Sequence, residues 1–200
     1  MHFEFLLEEE SAEKLLDNLL PEIITGEHTY RCIRFQGKMD LLKNLAIELK
    51  GYSNWIPKEY KIIVLVDRDR EDCKLLKKEL DKIATKAGLI TKSNPKNGYF
   101  QIMNRIAVEE LEAWFFGDAE AMRGAYPKLS ASFENKSSYR DPDNIVNTWE
   151  AMERILQRNG YFKTGLRKTE AAYEISKNMQ PLKNRSKSFQ VFWQGITECL

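Results

Sequence analysis

The chain of 200 residues has few of the residues that mark disulfide-bonded or zinc-binding proteins. Its three cysteines, Cys32, Cys73 and Cys199, are scattered, and no Cys-x-x-Cys pair occurs. The two histidines, His2 and His28, lack a ligand at metal-binding spacing. These absences argue against a disulfide framework and against a zinc site. We therefore expect reduced thiols and a cytoplasmic protein.

Long apolar runs and an excess of one charge are also missing. No apolar run approaches the ~18 residues that a membrane span requires, and the charged start of the chain does not resemble a signal peptide. Lys plus Arg number 31 and Asp plus Glu number 30, so net charge neither indicates nor excludes a nucleic-acid binder. With 42% hydrophobic and 30% charged residues, the composition is that of an ordinary globular protein.

Four apolar stretches, centred on residues 5, 33, 64 and 102, are predicted strands. The clearest is the run from Ile62 to Val66, which is typical of a strand buried on both faces of a parallel sheet. Helical stretches separate the strands, at about 12–20 after a predicted N-cap at Ser11, at 40–50 and at 72–86. The expected inward residues of the second and third helices are Leu41, Leu42, Leu45, Ile47 and Leu49, and Leu75, Leu76, Leu80 and Ile83. This alternation predicts an α/β core with about four mainly parallel strands flanked by helices.

The pattern changes in the second half of the chain. A short helix is predicted over 108–118, and no convincing strand follows. Further helices are predicted at about 118–125, at 141–160 with Pro142 in the first turn, at 168–179, and from Ser188. The sequence therefore predicts an α/β core over residues 1–118 and a helical extension over 119–200 that packs on it.

Acidic side chains follow three of the predicted strands. Glu8 comes after the first strand, Asp67 and Asp69 after the third, and Glu109, Glu110 and Glu112 after the fourth. The carboxyl ends of parallel strands share one edge of the sheet, where ligands bind in open α/β sheets. Carboxylates gathered there would raise one another's pKa values unless a hard cation compensated them. We predict a Mg²⁺ (or Mn²⁺) site. The alternative is a helix cap for an aspartate, and for Glu110 and Glu112 a helix on which the acids are solvated.

Basic residues form a second candidate site, for nucleic acid. Lys38 follows the second strand, and Arg105 precedes the acidic segment, where it neutralises either the acids or a phosphate. The C-terminal part combines aromatic residues with further cations, including Lys163, Arg167, Lys168 and Arg185. Such a mixture suits a nucleic-acid backbone or single strand. The alternative is a solvated charged face over core aromatics.

Two short motifs resemble those of a known domain. The segment Leu7-Glu8-Glu9-Glu10-Ser11-Ala12-Glu13 resembles the Glu motif of the Toprim domain, although Glu9 replaces a frequent glycine. The segment Val66-Asp67-Arg68-Asp69 matches its Asp-x-Asp motif. Topoisomerases, DnaG-type primases and overcoming-lysogenisation-defect nucleases share this domain. Most of the chain also resembles an uncharacterised, Toprim-like bacterial family, the domain-of-unknown-function 4276 family, through segments that include Arg105–Asp118 and Tyr139–Asp143.

The resemblance implies a Toprim-like, Rossmannoid core and Mg²⁺-dependent hydrolysis of phosphodiester bonds in DNA or RNA. Glu8 would be a metal ligand or general base, and Asp67 and Asp69 would hold the ion, with Glu110 and Glu112 as further ligands. Analogy with the family implies an ATPase partner in phage defence or DNA repair. The chain itself lacks a P-loop around Gly37-Lys38. The rival hypotheses are a non-catalytic metal- or nucleic-acid-binding subunit of an ATPase complex, and a phosphohydrolase.

Overall fold

A sheet of four parallel strands forms the centre of the computed structural model, which describes all residues from 1 to 200. The strands are β1 (His2–Leu7), β2 (Thr29–Arg34), β3 (Tyr60–Asp67) and β4 (Ile102–Ala107). They lie in the order β2-β1-β3-β4, and every neighbouring pair is parallel. The predicted α/β class with a parallel sheet of four strands is therefore confirmed.

Eight α-helices surround or extend the sheet. They are α1 (Glu10–Leu19), α2 (Lys38–Ser53), α3 (Cys73–Lys86), α4 (Glu112–Gly117), α5 (Ala119–Ala125), α6 (Thr148–Arg158), α7 (Lys168–Ser176) and α8 (Lys187–Thr197). Four single 3₁₀ turns lie at Leu20–Glu22, Phe133–Asn135, Pro142–Asn144 and Pro181–Lys183. None of the helices combines the length and the apolar character that a bilayer crossing demands.

The sheet is covered on both faces, because successive side chains of a strand point to opposite sides. In β3, Ile62, Val64 and Val66 pack with the inner faces of α2 and α3. The alternate residues Ile63 and Leu65 belong to the apolar layer on the opposite face, with α1 and the C-terminal helices. Strand β3 is thus buried on both faces, as its unbroken apolar run predicts.

The C-terminal helices share their core with the sheet. Every buried apolar residue after residue 118 belongs to the same apolar layer as Phe3 and Phe5 of β1. The ring of Trp114 in α4 lies 4.9 Å from that of Phe192 in α8, which in turn lies 6.4 Å from Phe5. Asp118, at the predicted domain boundary, accepts hydrogen bonds from the amides of both α5 and Gln180. The extension therefore packs on the core through one continuous apolar layer.

Two predicted helix starts are wrong. Helix α1 begins at Glu10 with Glu9 at the N-cap, and Ser11 is buried inside its first turn, where its hydroxyl donates to the Glu9 carboxylate. The segment from Asp141 forms only a 3₁₀ turn, because Asn147 adopts a left-handed φ of 50° before α6 begins. A left-handed residue cannot continue a right-handed helix.

Two residues predicted to face inward are exposed. Ile47 of α2 is 73% exposed and Leu75 of α3 is 67% exposed. The buried face of α2 is set by Leu41, Leu45 and Leu49, four residues apart. Ile47 lies two residues from this series, which places it on the far side of the helix. Leu75 is likewise turned away from its buried neighbour Leu76.

Candidate acidic site at the carboxyl edge of the sheet

The strand order creates a crevice between β1 and β3. The chain moves from β1 to β2 on one side and then returns to β3 on the other, so the direction of winding reverses there. Such a switch point is where open α/β sheets bind ligands. Glu8 directly follows β1, and Asp67 is the last residue of β3. The Glu8 carboxylate accepts a hydrogen bond of 2.9 Å from the Asp67 backbone amide, so the two predicted residues lie together.

A third carboxylate and a lysine complete the cluster. Glu112, the first residue of α4, is only 1% exposed, and its Oε2 atom has no hydrogen-bond partner. Lys168, the first residue of α7, places its Nζ atom 3.5 Å from Glu112 Oε1 and 3.9 Å from Glu9 Oε1. The same ammonium lies 5.5 Å from the centre of the Trp149 ring. One lysine therefore faces several acids.

Burial raises the pKa values of all three carboxyls. It raises the pKa of Glu8 to about 7, against the opposing hydrogen bond from the Asp67 amide. The pKa of Asp67 is raised well above its usual range, first by burial and then by the nearby Glu8 and Glu112. Burial also raises the pKa of Glu112 to about 7, although Lys168 opposes this rise. The cluster is thus short of positive charge at neutral pH.

Lys38 holds the loop that follows β3. Its Nζ atom donates to the carbonyl oxygens of Asp67 and Arg68, at 2.8 and 3.2 Å, and to the Asp69 carboxylate at 3.1 Å. Glu71 pairs with the same ammonium. Burial lowers the pKa of Lys38, but Glu71 and Asp69 outweigh it and the net pKa is raised. Lys38 stays charged, and the Asp69 carboxylate is bonded to it.

The loops after β3 and β4 are bonded to each other. Asp69 and Glu109 both adopt left-handed backbone conformations, with φ of 52° and 49°. The Asp69 amide donates to the Glu109 carbonyl at 2.8 Å, and Arg68 pairs with the Glu109 carboxylate. The left-handed Glu109 prevents the predicted helix from starting at Val108, so α4 starts at Glu112. Backbone strain of this kind is typical of functional loops.

Glu110 lies nearby but is bonded to the backbone. Its carboxylate accepts a 2.8 Å hydrogen bond from the amide of Trp149, in the first turn of α6. Burial raises the pKa of Glu110, and this hydrogen bond opposes the rise. In the observed arrangement Glu110 satisfies the N-terminus of α6, a role that the sequence interpretation did not consider.

The chain belongs to the family described as Domain of unknown function (DUF4276). The family model matches residues 7–197, which include the acidic cluster and all of the C-terminal helices. The comparisons found no match among curated proteins and none among solved structures. The predicted membership of the domain-of-unknown-function 4276 family is therefore confirmed, and the Toprim relationship stays a prediction.

Two of the six predicted nucleic-acid contacts in this DUF4276 protein lie at the acidic site, namely Lys38 and Lys168. Arg105 lies in the middle of β4, where its guanidinium packs against Gly195 of α8 and donates to the Asn104 carbonyl. The remaining three residues are exposed on the C-terminal part: Lys163, Arg167 and Arg185. Arg167 pairs with Glu170, and Arg185 donates to the carbonyls of Arg140 and Phe116.

The donor atoms of the site suit a hard divalent cation. Glu8, Asp67 and Glu112 offer carboxylate oxygens, the ligands that Mg²⁺ prefers, and the unpartnered Oε2 of Glu112 is free for one. In the observed side-chain arrangement, no group of three or more acidic, histidine or cysteine side chains is placed to hold a metal ion. Lys38, Lys168 and the Asp67 amide are bonded to several of the carboxylates instead. Binding an ion would therefore require new rotamers of the acidic side chains.

The sequence interpretation missed two features of the site. Glu109 was expected only among the converging acids and not as the residue that ties the two loops together, and the Trp149 ring beside Lys168 was assigned no part in the site. No spacing signal marks a residue that acts through contact with a distant loop.

Proposed function

We propose that the protein is a Mg²⁺-dependent nuclease that hydrolyses phosphodiester bonds of DNA or RNA at the acidic site. The supporting observation is the meeting of the half-buried Glu8 with the buried Asp67 and Glu112 at the switch point of the sheet. Buried carboxylates without matching positive charge are costly unless a cation joins them. The Toprim resemblance of the segments around Glu8 and Asp67 supplies the reaction class by analogy.

Glu8, Asp67 and Glu112 would hold the ion, which when bound neutralises phosphate charge and activates water. Glu8, with a pKa of about 7, is suited to take a proton from the attacking water near neutral pH. Lys38 keeps the Asp67–Asp69 loop in place through its hydrogen bonds to two carbonyls. Lys38 and Lys168 also place positive charge on either flank of the acids, where a phosphate would be attracted.

Analogy with Toprim nucleases adds a partner and a setting to this proposal. An ATPase encoded nearby would control the nuclease in phage defence or DNA repair. The three cysteines are free thiols, which agrees with a reducing compartment such as the cytoplasm.

A plasmid-nicking assay with Mg²⁺ or Mn²⁺ tests the proposal, with and without the neighbouring gene products. The wild type is expected to convert supercoiled DNA to the nicked or linear form, or to degrade RNA, only when the metal is present. Asp67→Asn and Glu8→Gln are expected to lower the rate by at least about 100-fold, because each removes a negative ligand. Glu10→Gln is the matched control, since Glu10 is exposed and pairs only with Arg34. Cleavage that persists in both variants, or in EDTA, would contradict the proposal.

One observation favours a second candidate, a non-catalytic metal- or nucleic-acid-binding subunit of an ATPase complex. The carboxylates of Asp69 and Glu112 are already paired with lysines, as in a site where ammonium groups replace a metal. This candidate predicts nucleic-acid binding without cleavage under any metal. Hydrolysis of p-nitrophenyl phosphate, but not of nucleic acid, would instead indicate the third candidate, a phosphohydrolase.

A further inference from the structure

The outer face of α3 carries a row of four lysines. Lys74, Lys78, Lys82 and Lys86 are all exposed and follow one another at intervals of four residues. At a rise of 1.5 Å per residue, neighbouring lysines are about 6 Å apart along the helix axis, and the row is about 18 Å long. The row is therefore a linear array of positive charge on one element.

None of these four lysines forms an ion pair. The paired lysine of α3 is Lys77, which contacts Asp81 at 2.9 Å and lies outside the row. Among the C-terminal basic residues, Arg167, Lys168 and Lys177 are each paired with a glutamate, whereas Lys163 and Arg185 are unpaired but form no row. A row of unpaired cations is thus present on α3, a location that the sequence interpretation did not consider.

The row borders a groove and leads toward the acidic site. A shallow groove of about 430 Å³ runs along this face and is lined by Leu75, Lys78, Glu79, Lys82, Ile83 and Lys86. Glu79 is the single acid in that lining. Helix α3 starts at Cys73, directly after the loop that carries Asp67 and Asp69, so Lys74 is the end of the row next to the carboxyl edge.

We propose that the lysine row on α3 is a nucleic-acid track that binds the phosphate backbone and delivers it to the acidic site. Neighbouring lysines of the row are about 6 Å apart along α3. Each DNA strand carries a phosphate every ~3.4 Å along the axis of the duplex, so each flexible lysine side chain can reach a separate phosphate. A nucleic acid fits better than an anionic membrane. An interfacial helix needs a broad apolar face, whereas Leu75 is the one large apolar residue that is strongly exposed on α3. The delivery of nucleic acid to the acidic site rests on the proposed function. The binding of nucleic acid to the lysine row does not.

Fluorescence anisotropy in EDTA, where cleavage cannot occur, tests the track. The probes are a short labelled single-stranded DNA, its duplex and an RNA of the same sequence. The variant replaces all four lysines of the row by glutamine, which keeps a good helix former at each position. The matched control removes the same charge elsewhere: Lys50→Gln, Lys58→Gln, Lys96→Gln and Lys136→Gln, all exposed and unpaired residues.

The row variant is expected to bind at least about tenfold more weakly near 50 mM salt, with a log–log salt slope smaller by about 3. The control should keep the wild-type affinity within about twofold, because it removes no backbone contact. Equal weakening of both variants would overturn the inference and leave only a net-charge effect. Binding to phosphatidylserine vesicles through the row, without binding to any nucleic acid, would also overturn it.

The two proposals fail separately. If the wild type binds nucleic acid through the row but never cleaves it with Mg²⁺ or Mn²⁺, the track stands and the nuclease proposal falls. If the wild type cleaves and the row variant binds and cleaves equally well, the track falls and the nuclease proposal stands.

Discussion

Replacing Glu112 by glutamine is expected to stabilise the fold at neutral and alkaline pH. The side chain is 1% exposed and its Oε2 atom has no partner, and burial raises its pKa from 4.5 to about 7. A pKa rise of this size corresponds to about 3 kcal/mol, at 1.36 kcal/mol for each pKa unit. Lys168 loses a partner in the variant, but it also contacts Glu9. We therefore expect a net gain of about 1–3 kcal/mol above pH 7.

The sign of the pH dependence follows from proton binding. Between pH 4.5 and about 7, the native state holds a proton on Glu112 that the unfolded state has released. The contribution of Glu112 to wild-type stability therefore falls as pH rises through this window. Glutamine does not titrate, so the gain should be near zero at low pH and should grow to its full value above pH 7.

Urea unfolding followed by tryptophan fluorescence in EDTA, at a series of pH values, measures this gain. Glu10→Gln serves as the control, because Glu10 is exposed and its substitution should give a small, nearly pH-independent change. A gain in stability of the same size at every pH would mean that the packing of the glutamine side chain, rather than the loss of the buried charge, accounts for the gain. A loss of stability at alkaline pH would refute the reasoning, since it would show that the Glu112–Lys168 pair outweighs the cost of burial.

Three further predictions concern packing, a buried hydrogen bond and metal affinity. Gly117→Ala should destabilise by about 2–4 kcal/mol, as the new Cβ would lie 2.0 Å from Asn184 Oδ1. Gly51→Ala, with open space around its Cβ, should stabilise by about 0.5–1 kcal/mol; thermal unfolding of both variants checks the contrast. Ser188→Ala should cost about 1–3 kcal/mol in urea unfolding, since it leaves the buried Trp114 indole N–H without its 2.8 Å acceptor; an unchanged midpoint would contradict this role. Mg²⁺ affinity measured by calorimetry should rise at least about tenfold from pH 6 to pH 8, because Glu8 must lose its proton to bind the ion and the raised pKa values of Asp67 and Glu112 act in the same direction; a flat profile would exclude Glu8 as a ligand.

The fold class could be predicted because its signals are local and strong. The run Ile62–Val66 has no polar interruption, which is typical of a central parallel strand, and β3 is indeed buried on both faces. The errors occur where single residues adopt unusual backbone conformations. Asn147 and Glu109 are both left-handed, and each delays a helix that the apolar pattern predicts earlier. A pattern of apolar residues does not report the φ of an individual polar residue.

The neighbouring positions of Glu8 and Asp67 could also be predicted, because parallel strands present their carboxyl ends at one edge. The ion pairs that the basic residues form could not be predicted. Lys168 was assigned to nucleic acid with the other C-terminal cations, yet the packing of α7 against the sheet layer brings it within 3.5 Å of Glu112. The four lysines of the row on α3 were not assigned any role.

The amino-acid pattern is sufficient for the order of strands and helices and for the acidic residues at the strand ends, since periodicity and parallel pairing act over short stretches of chain. The β2-β1-β3-β4 order, the unpartnered oxygen of Glu112 and the division of lysines into paired and unpaired sets come from contacts between distant segments. Such contacts depend on how layers pack together, and packing leaves no periodic trace in the sequence.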